Sequence, residues 1–200
     1  MRVYDAPFLA ALSAGLTPVY FLHVVPRDLD TAEQVPFGLW SGDEDITINV
    51  ETPESGVSSR SYAGGCGLAL DGLQYVGDLT DNPVTVSLSQ IDAAVQELLR
   101  GLDVRLAYCE IHATSWDGSE FASVPQLLWV GIVDDVQIAT PALNAAGGVS
   151  LIIRSEIMMQ LTATNPAKSS DAHQRRRLID DRFCEYASTV TSRKVQWYKE

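Results

Sequence analysis

The side chains of this chain that could carry chemistry include two acidic clusters, three cysteines and three histidines. Asp43, Glu44 and Asp45 form one acidic cluster, and Asp134 and Asp135 form the other. A calcium loop needs acids at alternating positions, a glycine turn and a distal glutamate, and the first cluster lacks that spacing. Neighbouring strand residues point to opposite faces, so the second pair cannot converge on one ion. The first cluster is therefore predicted to be solvated loop acids. The second is predicted to bind no ion, and the alternative is a single general base, for which no partner is identifiable.

The cysteines do not have the spacing of a metal site or of a disulfide framework. Cys66, Cys109 and Cys184 are far apart, and no CxxC pair is present. An odd number of scattered cysteines does not indicate a set of disulfides. Structural zinc and iron–sulfur sites usually take four ligands. We therefore predict reduced, structural cysteines, no bound metal and no cofactor.

Catalytic motifs are missing from the sequence. A nucleophilic Cys66 would need a nearby base, for which His112 and His23 are the candidates. The glycines in residues 62–68 fit neither a Walker motif nor a GxGxxG pattern, and we interpret them as a turn. The GxSxG elbow and the HExxH motif are also absent. The sequence predicts no catalytic residues and no enzyme activity.

Charge is distributed unevenly on the two sides of Pro166. The first part carries six arginines, no lysine and 21 acids, a net charge of −15. The rest carries eight basic and five acidic residues, a net charge of +3, and the two parts together give −12. This acidity argues against general nucleic-acid binding, which needs a positive surface. A basic segment on an acidic chain indicates docking onto an acidic surface, including that of a neighbouring copy.

The basic segment is predicted to be an ordered arm; the alternative is a disordered, solvated terminus. Its apolar residues could anchor a fold, and they are Phe183, Tyr186, Val190, Val195 and Trp197. Its arginines could form bidentate hydrogen bonds with carboxylates. We thus predict a body, residues 1–164, and a basic C-terminal arm, residues 165–200. The candidate subunit-interface residues are Arg175, Arg176, Arg177, Asp180, Asp181, Arg182, Phe183 and Trp197.

No apolar stretch approaches the roughly 18 residues that a membrane helix needs, and no membrane partner is expected. Near the N-terminus, Asp5 and Pro7 interrupt what could be a signal peptide. We instead expect an amphipathic first helix, whose apolar residues near helical spacing are Phe8, Leu9, Leu12 and Leu16.

Alternation of apolar and polar residues, together with turn residues, predicts about eight strands in the body. These strands lie at residues 19–25, 46–50, 68–70, 73–76, 84–88, 104–111, 127–138 and 149–154. Pro26 is expected to end the first strand, and Asp71-Gly72 to form a hairpin turn between residues 68–70 and 73–76. Gly131 is expected at a bulge or a point of close approach. In residues 104–111, Val104, Leu106 and Tyr108 are expected to face one way.

One further helix is predicted around residues 91–99, and the strand pattern sets the fold class. Ser89 is its expected N-cap and Gly101 its stop. The strands are joined mainly by turns and polar loops, which favours antiparallel pairing. We predict a mainly β (α+β) fold, with antiparallel sheets forming a small barrel or sandwich, one or two short helices and an extended C-terminal arm.

The C-terminal residues also resemble those of a known family. The run SSDAHQRRR ending at Arg177, then Asp180, Asp181, Arg182 and Phe183, and the closing Val195-Gln196-Trp197 resemble the C-terminal stretch of tail-tip proteins of long-tailed (siphovirus-like) bacteriophages and gene transfer agents. Those often read SD-x-x-Q-R, then P-G-D, then an aromatic strand ending in W. The order of elements in the body is similar to that of their baseplate hub proteins.

This chain departs from the pattern in two places. It has Ile179-Asp180-Asp181 where P-G-D is usual. It also lacks the cysteine-rich ending that carries an iron–sulfur cluster in some hub relatives, so no cluster is expected.

The resemblance implies a structural protein of the virion tail tip or baseplate, assembled in the cytoplasm of the bacterial host. It would be a hub ring subunit that links the tail tube to the central fibre protein and contacts the distal tail protein. A homo-oligomer is implied, with a trimer favoured and a hexamer possible. DNA would only pass through the lumen. The alternatives are a distal tail ring protein (a hexamer), a cell-wall hydrolase of the tail, or a ligand-binding β-barrel.

Overall fold

The computed structural model describes residues 4–54, 56–74, 80–141, 147–158, 170–189 and 192. The chain forms two compact units, Met1–Leu161 and Thr162–Glu200. The first contains the described residues of the body, and the second those of the arm.

The described part of the body contains two labelled helices and nine strands. In chain order they are α1 (Ala6–Ser13), β1 (Pro18–Asp28), β2 (Phe37–Trp40), β3 (Ile46–Glu51), β4 (Val57–Tyr62), β5 (Ala69–Asp71), β6 (Val84–Leu88), α2 (Ala93–Arg100), β7 (Leu102–Ser115), β8 (Gln126–Ala139) and β9 (Gly148–Ser155). Residues 156–158 are also helical.

Seven of the strands form one antiparallel sheet in the order β2-β1-β7-β8-β9-β6-β5. This sheet curls into a half-barrel, while β3 and β4 pair separately as a two-stranded hairpin. The predicted fold class, mainly antiparallel β with a few short helices, is confirmed.

The main core lies on one face of the curled sheet. Leu22 pairs with Ile111 across β1 and β7, and Val24 pairs with Cys109, so their side chains share that face. In α2, Val95 and Leu98 are fully buried in the same cluster. A smaller cluster joins Phe8 of α1 to Ala113 and Leu128. The predicted apolar face of α1 is only partly right, because Phe8 is buried and Leu12 half-buried, whereas Leu9 is 43% exposed and Leu16 lies beyond the helix.

The opposite face of β1 and β7 is covered by the β3–β4 hairpin. Phe21 of β1 is buried against Val50 of β3 and Tyr62 of β4. The Phe21 ring stacks on Trp40 with centroids 5.5 Å apart, and its centroid lies 5.1 Å from that of Tyr62. Strands β1 and β7 are therefore buried on both faces. Any polar side chain that they direct at the hairpin is removed from water and needs a hydrogen-bond partner in the protein.

Two predictions about the first long strand pair are wrong. Pro26 does not end β1; the strand continues to Asp28, and its register with β7 shifts between Val25 and Arg27. A bulge accommodates proline because the unpaired position needs no N–H donor. On β7, Leu106 adopts a φ of 59° and is exposed. It does not share a face with Val104 as alternation predicts.

The predicted hairpin at Asp71-Gly72 is also wrong in its pairing. Strand β5 pairs with β6, with Asp71 opposite Thr85, and Leu73 and Gln74 belong to no strand. Residues 75 and 76 lie outside the described residues. Strand β2 and the start of β4 lie in residues 26–45 and 51–59, where the sequence predicts no strand.

Helix α2 begins later than predicted. Its N-cap is Asp92, whose side chain accepts a hydrogen bond from the Val95 N–H at 3.1 Å. Ile91 precedes the helix and is almost fully exposed. The predicted stop at Gly101 is confirmed as the C-cap. None of the helices in the described ranges has the length and apolar character needed to span a bilayer.

The glycine prediction in β8 is confirmed. A Cβ on Gly131 would lie 2.4 Å from the carbonyl oxygen of Arg154 on β9. No side chain fits at that distance, so β8 and β9 approach closely only because residue 131 is glycine.

The described part of the arm contains α3 (Asp171–Arg177) followed by turns to residue 189. Ser170 caps α3 by accepting a hydrogen bond from the His173 N–H at 3.3 Å. The proposed anchors Phe183 and Tyr186 are exposed in the single chain, Phe183 by 90%, so their role as anchors stays a prediction. The other anchors, Val190, Val195 and Trp197, lie outside the described residues.

Candidate functional site

Five polar side chains come together where the β3–β4 hairpin covers the main sheet. We call them the buried polar cluster: His23, Arg60, Tyr62, Glu110 and His112. Strand register explains their meeting, because His23 lies opposite Glu110 on β1 and β7. His112 follows two residues later on β7, and Arg60 and Tyr62 alternate in the same way on β4. Four of the five are buried, and the Arg60 side chain is only 16% exposed.

The strongest contact in the cluster is an ion pair. Arg60 Nη1 donates to Glu110 Oε2 at 2.5 Å, and the Glu110 side chain is 4% exposed. Charge-assisted hydrogen bonds of this length are about twice as strong as neutral ones. A buried carboxylate without such a partner would cost several kcal/mol, about the penalty for taking an ion out of water. Glu110 therefore depends on Arg60, and Arg60 belongs to the hairpin.

His112 is held by the hairpin backbone. Its Nε2 lies 2.8 Å from the carbonyl oxygen of Glu51 on β3 and 3.5 Å from Glu110 Oε2. The shorter contact places the proton on Nε2, which donates to the carbonyl. Nδ1 is then an acceptor, and it has no hydrogen-bond partner among the described residues.

Burial sets the protonation states of the cluster. Desolvation lowers the pKa of His23 to about 4, with Arg60 lowering it further and Glu110 opposing. Desolvation also lowers the pKa of His112 to about 4, against the hydrogen bond to Glu51. The same effect raises the pKa of Tyr62 to about 12. At neutral pH both imidazoles and the phenol are therefore uncharged.

Hydrogen bonds continue from the hairpin to other elements of the body. The Glu51 N–H donates to the Pro125 carbonyl at 3.0 Å, and Glu51 Oε2 accepts from the Leu127 N–H at 2.9 Å. Next to them, Gln126 Oε1 accepts from the Asp5 N–H at 3.0 Å. The end of β3 is thus joined to the start of β8, and β8 to the start of α1.

One member of the cluster, Tyr62, lines an open groove of the body. Four open grooves on the body, that one among them, have volumes of about 550 to 690 Å³. None is lined by His23, Arg60, Glu110 or His112. Within the described ranges, no group of three or more His, Cys, Asp or Glu side chains could hold a metal ion. What the arrangement can do is fix the hairpin to the sheet.

The three cysteines are free and buried, as predicted. The Cys66 thiol donates to the Trp40 carbonyl at 3.2 Å, and burial raises its pKa. Burial also raises the pKa of Cys109. Raised values disfavour the thiolate, which is the nucleophilic form.

Cys66 and Cys109 are therefore expected to react with iodoacetamide at pH 8 at least about tenfold more slowly in the folded protein than in urea. Intact-protein and peptide mass spectrometry over a time course would measure both rates in one sample. A Cys66 that reacts equally fast in both conditions would show an accessible thiol and restore the nucleophile interpretation.

The first acidic cluster is solvated, as predicted, whereas the second is half-buried. Asp43, Glu44 and Asp45 are all exposed. Asp134 Oδ2 pairs with Arg154 at 3.2 Å, whereas Asp135 accepts from the Gln137 side chain. The two neighbouring carboxylates thus have different partners and share no ion.

The predicted interface residues fall into three groups. Arg175 pairs within the arm, with Asp171 at 2.9 Å and Glu185 at 4.0 Å. The exposed residues are Arg176, Arg177, Asp180, Arg182 and Phe183, and Asp181 is half-buried. Trp197 lies outside the described residues. The described interface residues thus lie on α3 and in the turns that follow it. Their role in a subunit interface stays a prediction, because the structure contains a single chain.

Sequence reasoning missed the importance of Arg60, Tyr62 and Glu110. The signal was a charged residue inside an apolar strand: Glu110 follows Cys109 and precedes Ile111. A charge at such a position requires a partner from another element. The sequence does not say which arginine supplies it.

No protein-family model matches this chain, and no curated protein shows significant similarity to it.

Proposed function

We propose that this chain is a structural subunit of a phage tail tip or baseplate, and specifically a hub ring subunit between the tail tube and the central fibre protein. One observation carries most of the weight. The arm presents arginines beside large apolar side chains that remain exposed, with Phe183 exposed by 90%. Exposed apolar surface of this kind indicates a protein contact.

The body supports an assembly role in a second way. Its sheet is open, and its edge strands β2 and β5 have only four and three residues. Short edge strands limit uncontrolled pairing between sheets. Ordered association would then use side-chain surfaces such as the arm, which suits a closed ring.

The sequence resemblance gives the assembly its proposed place. In that proposal the protein is not an enzyme, and it forms a homo-oligomer, with a trimer favoured over a hexamer. Its neighbours are the distal tail protein and the central fibre protein in the virion. The net charge of −12 would keep passing DNA from adhering to a lumen that these subunits line, because like charges repel.

A copy of the full chain that carries a peptide tag is expressed in a cell that produces phage particles. It is expected to appear at the distal end of the tail. Electron microscopy of purified particles with a gold label for the tag measures this. The matched control is the same tag on a capsid protein, which should label heads only. Particles without gold at the tail, from cells that express the tagged chain, would refute the tail-tip proposal.

A further inference from the structure

An aromatic groove with an acidic border lies beside the hairpin. It encloses about 550 Å³ and is lined by Val19, Trp40, Ile46, Trp116, Phe121 and the loop of residues 41–45. We call this the aromatic groove. It lies on the body alone, and the buried polar cluster does not contribute to it.

The rings of the groove are fixed before any partner binds. Trp40 stacks on the buried Phe21 at an interplanar angle of 8°, and its Nε1–H donates to the Glu44 carbonyl at 2.6 Å. The Trp116 ring centroid is 4.6 Å from that of Phe121, yet Trp116 remains 41% exposed. A fixed but exposed indole can bind a partner at little entropic cost.

Three acids lie at the border of the groove. Asp43, Glu44 and Asp45 are exposed. Among the described residues, no Arg, Lys or His forms an ion pair with Asp43 or Glu44. An indole beside free carboxylates is chemically suited to a guanidinium group, which can stack on the ring and pair with the acid at once.

The arm carries the complementary groups. Arg176 and Arg177 are exposed at the end of α3, and neither pairs with an acid in the described part of the arm. Leu178 and Ile179 follow directly, and both are exposed. The sequence of basic and then apolar side chains matches a groove that is acidic at its border and aromatic inside.

We propose that the aromatic groove of one subunit binds the Arg176–Ile179 segment of the arm of a second copy of this chain. Such a contact is heterologous, because the two surfaces differ, so repetition of it generates a ring when the rotation closes. The inference deepens the proposed assembly role, and it rests on that role for the second copy.

Charge exchange between full-length variants tests the contact. One variant reverses the groove (Asp43→Lys with Glu44→Lys), and another reverses the arm (Arg176→Glu with Arg177→Glu). Each alone is expected to weaken self-association by about tenfold or more, because attractive pairs become repulsive. An equimolar mixture, and a chain carrying all four changes, should each regain association. Sedimentation velocity over a concentration series measures it, and added salt should weaken the wild-type contact.

Two further variants separate groove binding from general charge effects. Trp116→Ala should weaken association without any change in charge. Glu33→Lys with Glu54→Lys makes the same charge change at exposed acids that do not line the groove, and should leave association near the wild-type level.

Three results would overturn the inference: a groove variant that associates like the wild type, a four-change chain that is not restored, or a wild type that is monomeric throughout the series. The gold label at the tail would be present or absent regardless of these three results. The failure of this contact can therefore be distinguished from the failure of the tail-tip proposal.

Discussion

Replacing Glu110 with glutamine is expected to lower the free energy of unfolding of the body by about 3–5 kcal/mol. The substitution keeps the shape of the side chain and removes its charge, so Arg60 remains largely buried without a carboxylate. Only 16% of the Arg60 side chain is exposed, so water can solvate little of it. Urea unfolding followed by tryptophan fluorescence would measure the change in midpoint.

A matched control separates burial from charge loss. Asp134→Asn removes a carboxylate on the same sheet, but Arg154 is 40% exposed and also contacts Asp81. An exposed pair of this kind contributes about 0 to 1 kcal/mol, so the control should change stability by less than about 1 kcal/mol. Equal effects of Glu110→Gln and Asp134→Asn would contradict the importance assigned to the buried pair.

Replacing both partners tests the cause of that loss. The double variant Arg60→Met with Glu110→Leu removes both charges and leaves neither one buried alone. Apolar replacements of a whole buried pair are often neutral or stabilising, so the double variant should recover much of the stability lost in Glu110→Gln. A double variant that is less stable than Glu110→Gln would show that the pair stabilises beyond mutual neutralisation.

Much of the fold is predictable because local patterns decide it. The strands at residues 46–50, 84–88 and 149–154 were recognisable by alternation, since each has one face against a core. The pairing of β5 was not predictable in the same way. Asp71-Gly72 has the composition of a tight turn, but strand pairing is a non-local choice, and β6 provides the partner.

The errors inside strands have a different cause. Pro26 and Leu106 both interrupt the regular pairing of β1 with β7. The sequence predicts that Pro26 ends its strand and that the Leu106 side chain faces the same way as Val104. The structure keeps both strands by placing the irregularities opposite each other, where Val25 pairs with Tyr108 and Arg27 with Asp103. A bulge is defined by the register between two paired strands, and the sequence of one strand does not show that register.

The candidate site was hidden for a related reason. The sequence offers His23 only as a candidate base for Cys66, whereas in the structure it belongs to the buried polar cluster and is 8% exposed. The cluster exists only because β4, absent from the sequence-based set of strands, brings Arg60 over β7. By contrast, the interface candidates in the arm rest on charge asymmetry, which composition alone reveals.

Acidification should destabilise the body between about pH 6.5 and pH 4. Both buried imidazoles have a pKa of about 4 in the fold, against 6.5 for the model side chain. Above pH 6.5 the imidazoles are neutral in both the folded and the unfolded chain, so their titration does not change the free energy of unfolding. As the pH falls below 6.5 the unfolded chain binds protons that the fold excludes, so stability is lost until the fold itself is protonated near pH 4.

The expected loss is of the order of 3 kcal/mol for each imidazole, since one unit of pKa shift corresponds to about 1.4 kcal/mol. For His112 the structural reason is direct: a second proton would go to Nδ1, which has no acceptor among the described residues. His112→Gln should therefore lower stability at pH 7.5, because the Glu51 carbonyl loses its imidazole donor, but it should also flatten the dependence on pH. Urea unfolding at intervals between pH 7.5 and pH 4 measures both effects.

The third histidine provides the control for this measurement. His173 lies on α3 of the arm and is not a member of the buried polar cluster. His173→Gln should therefore leave the slope of stability against pH as it is in the wild type, whereas His112→Gln and His23→Gln should each remove about half of it. Equal slopes in all four proteins would mean that the buried imidazoles are not what acid attacks. The hairpin would then have to be held by its apolar contacts to Phe21, with the polar cluster adding no sensitivity to pH.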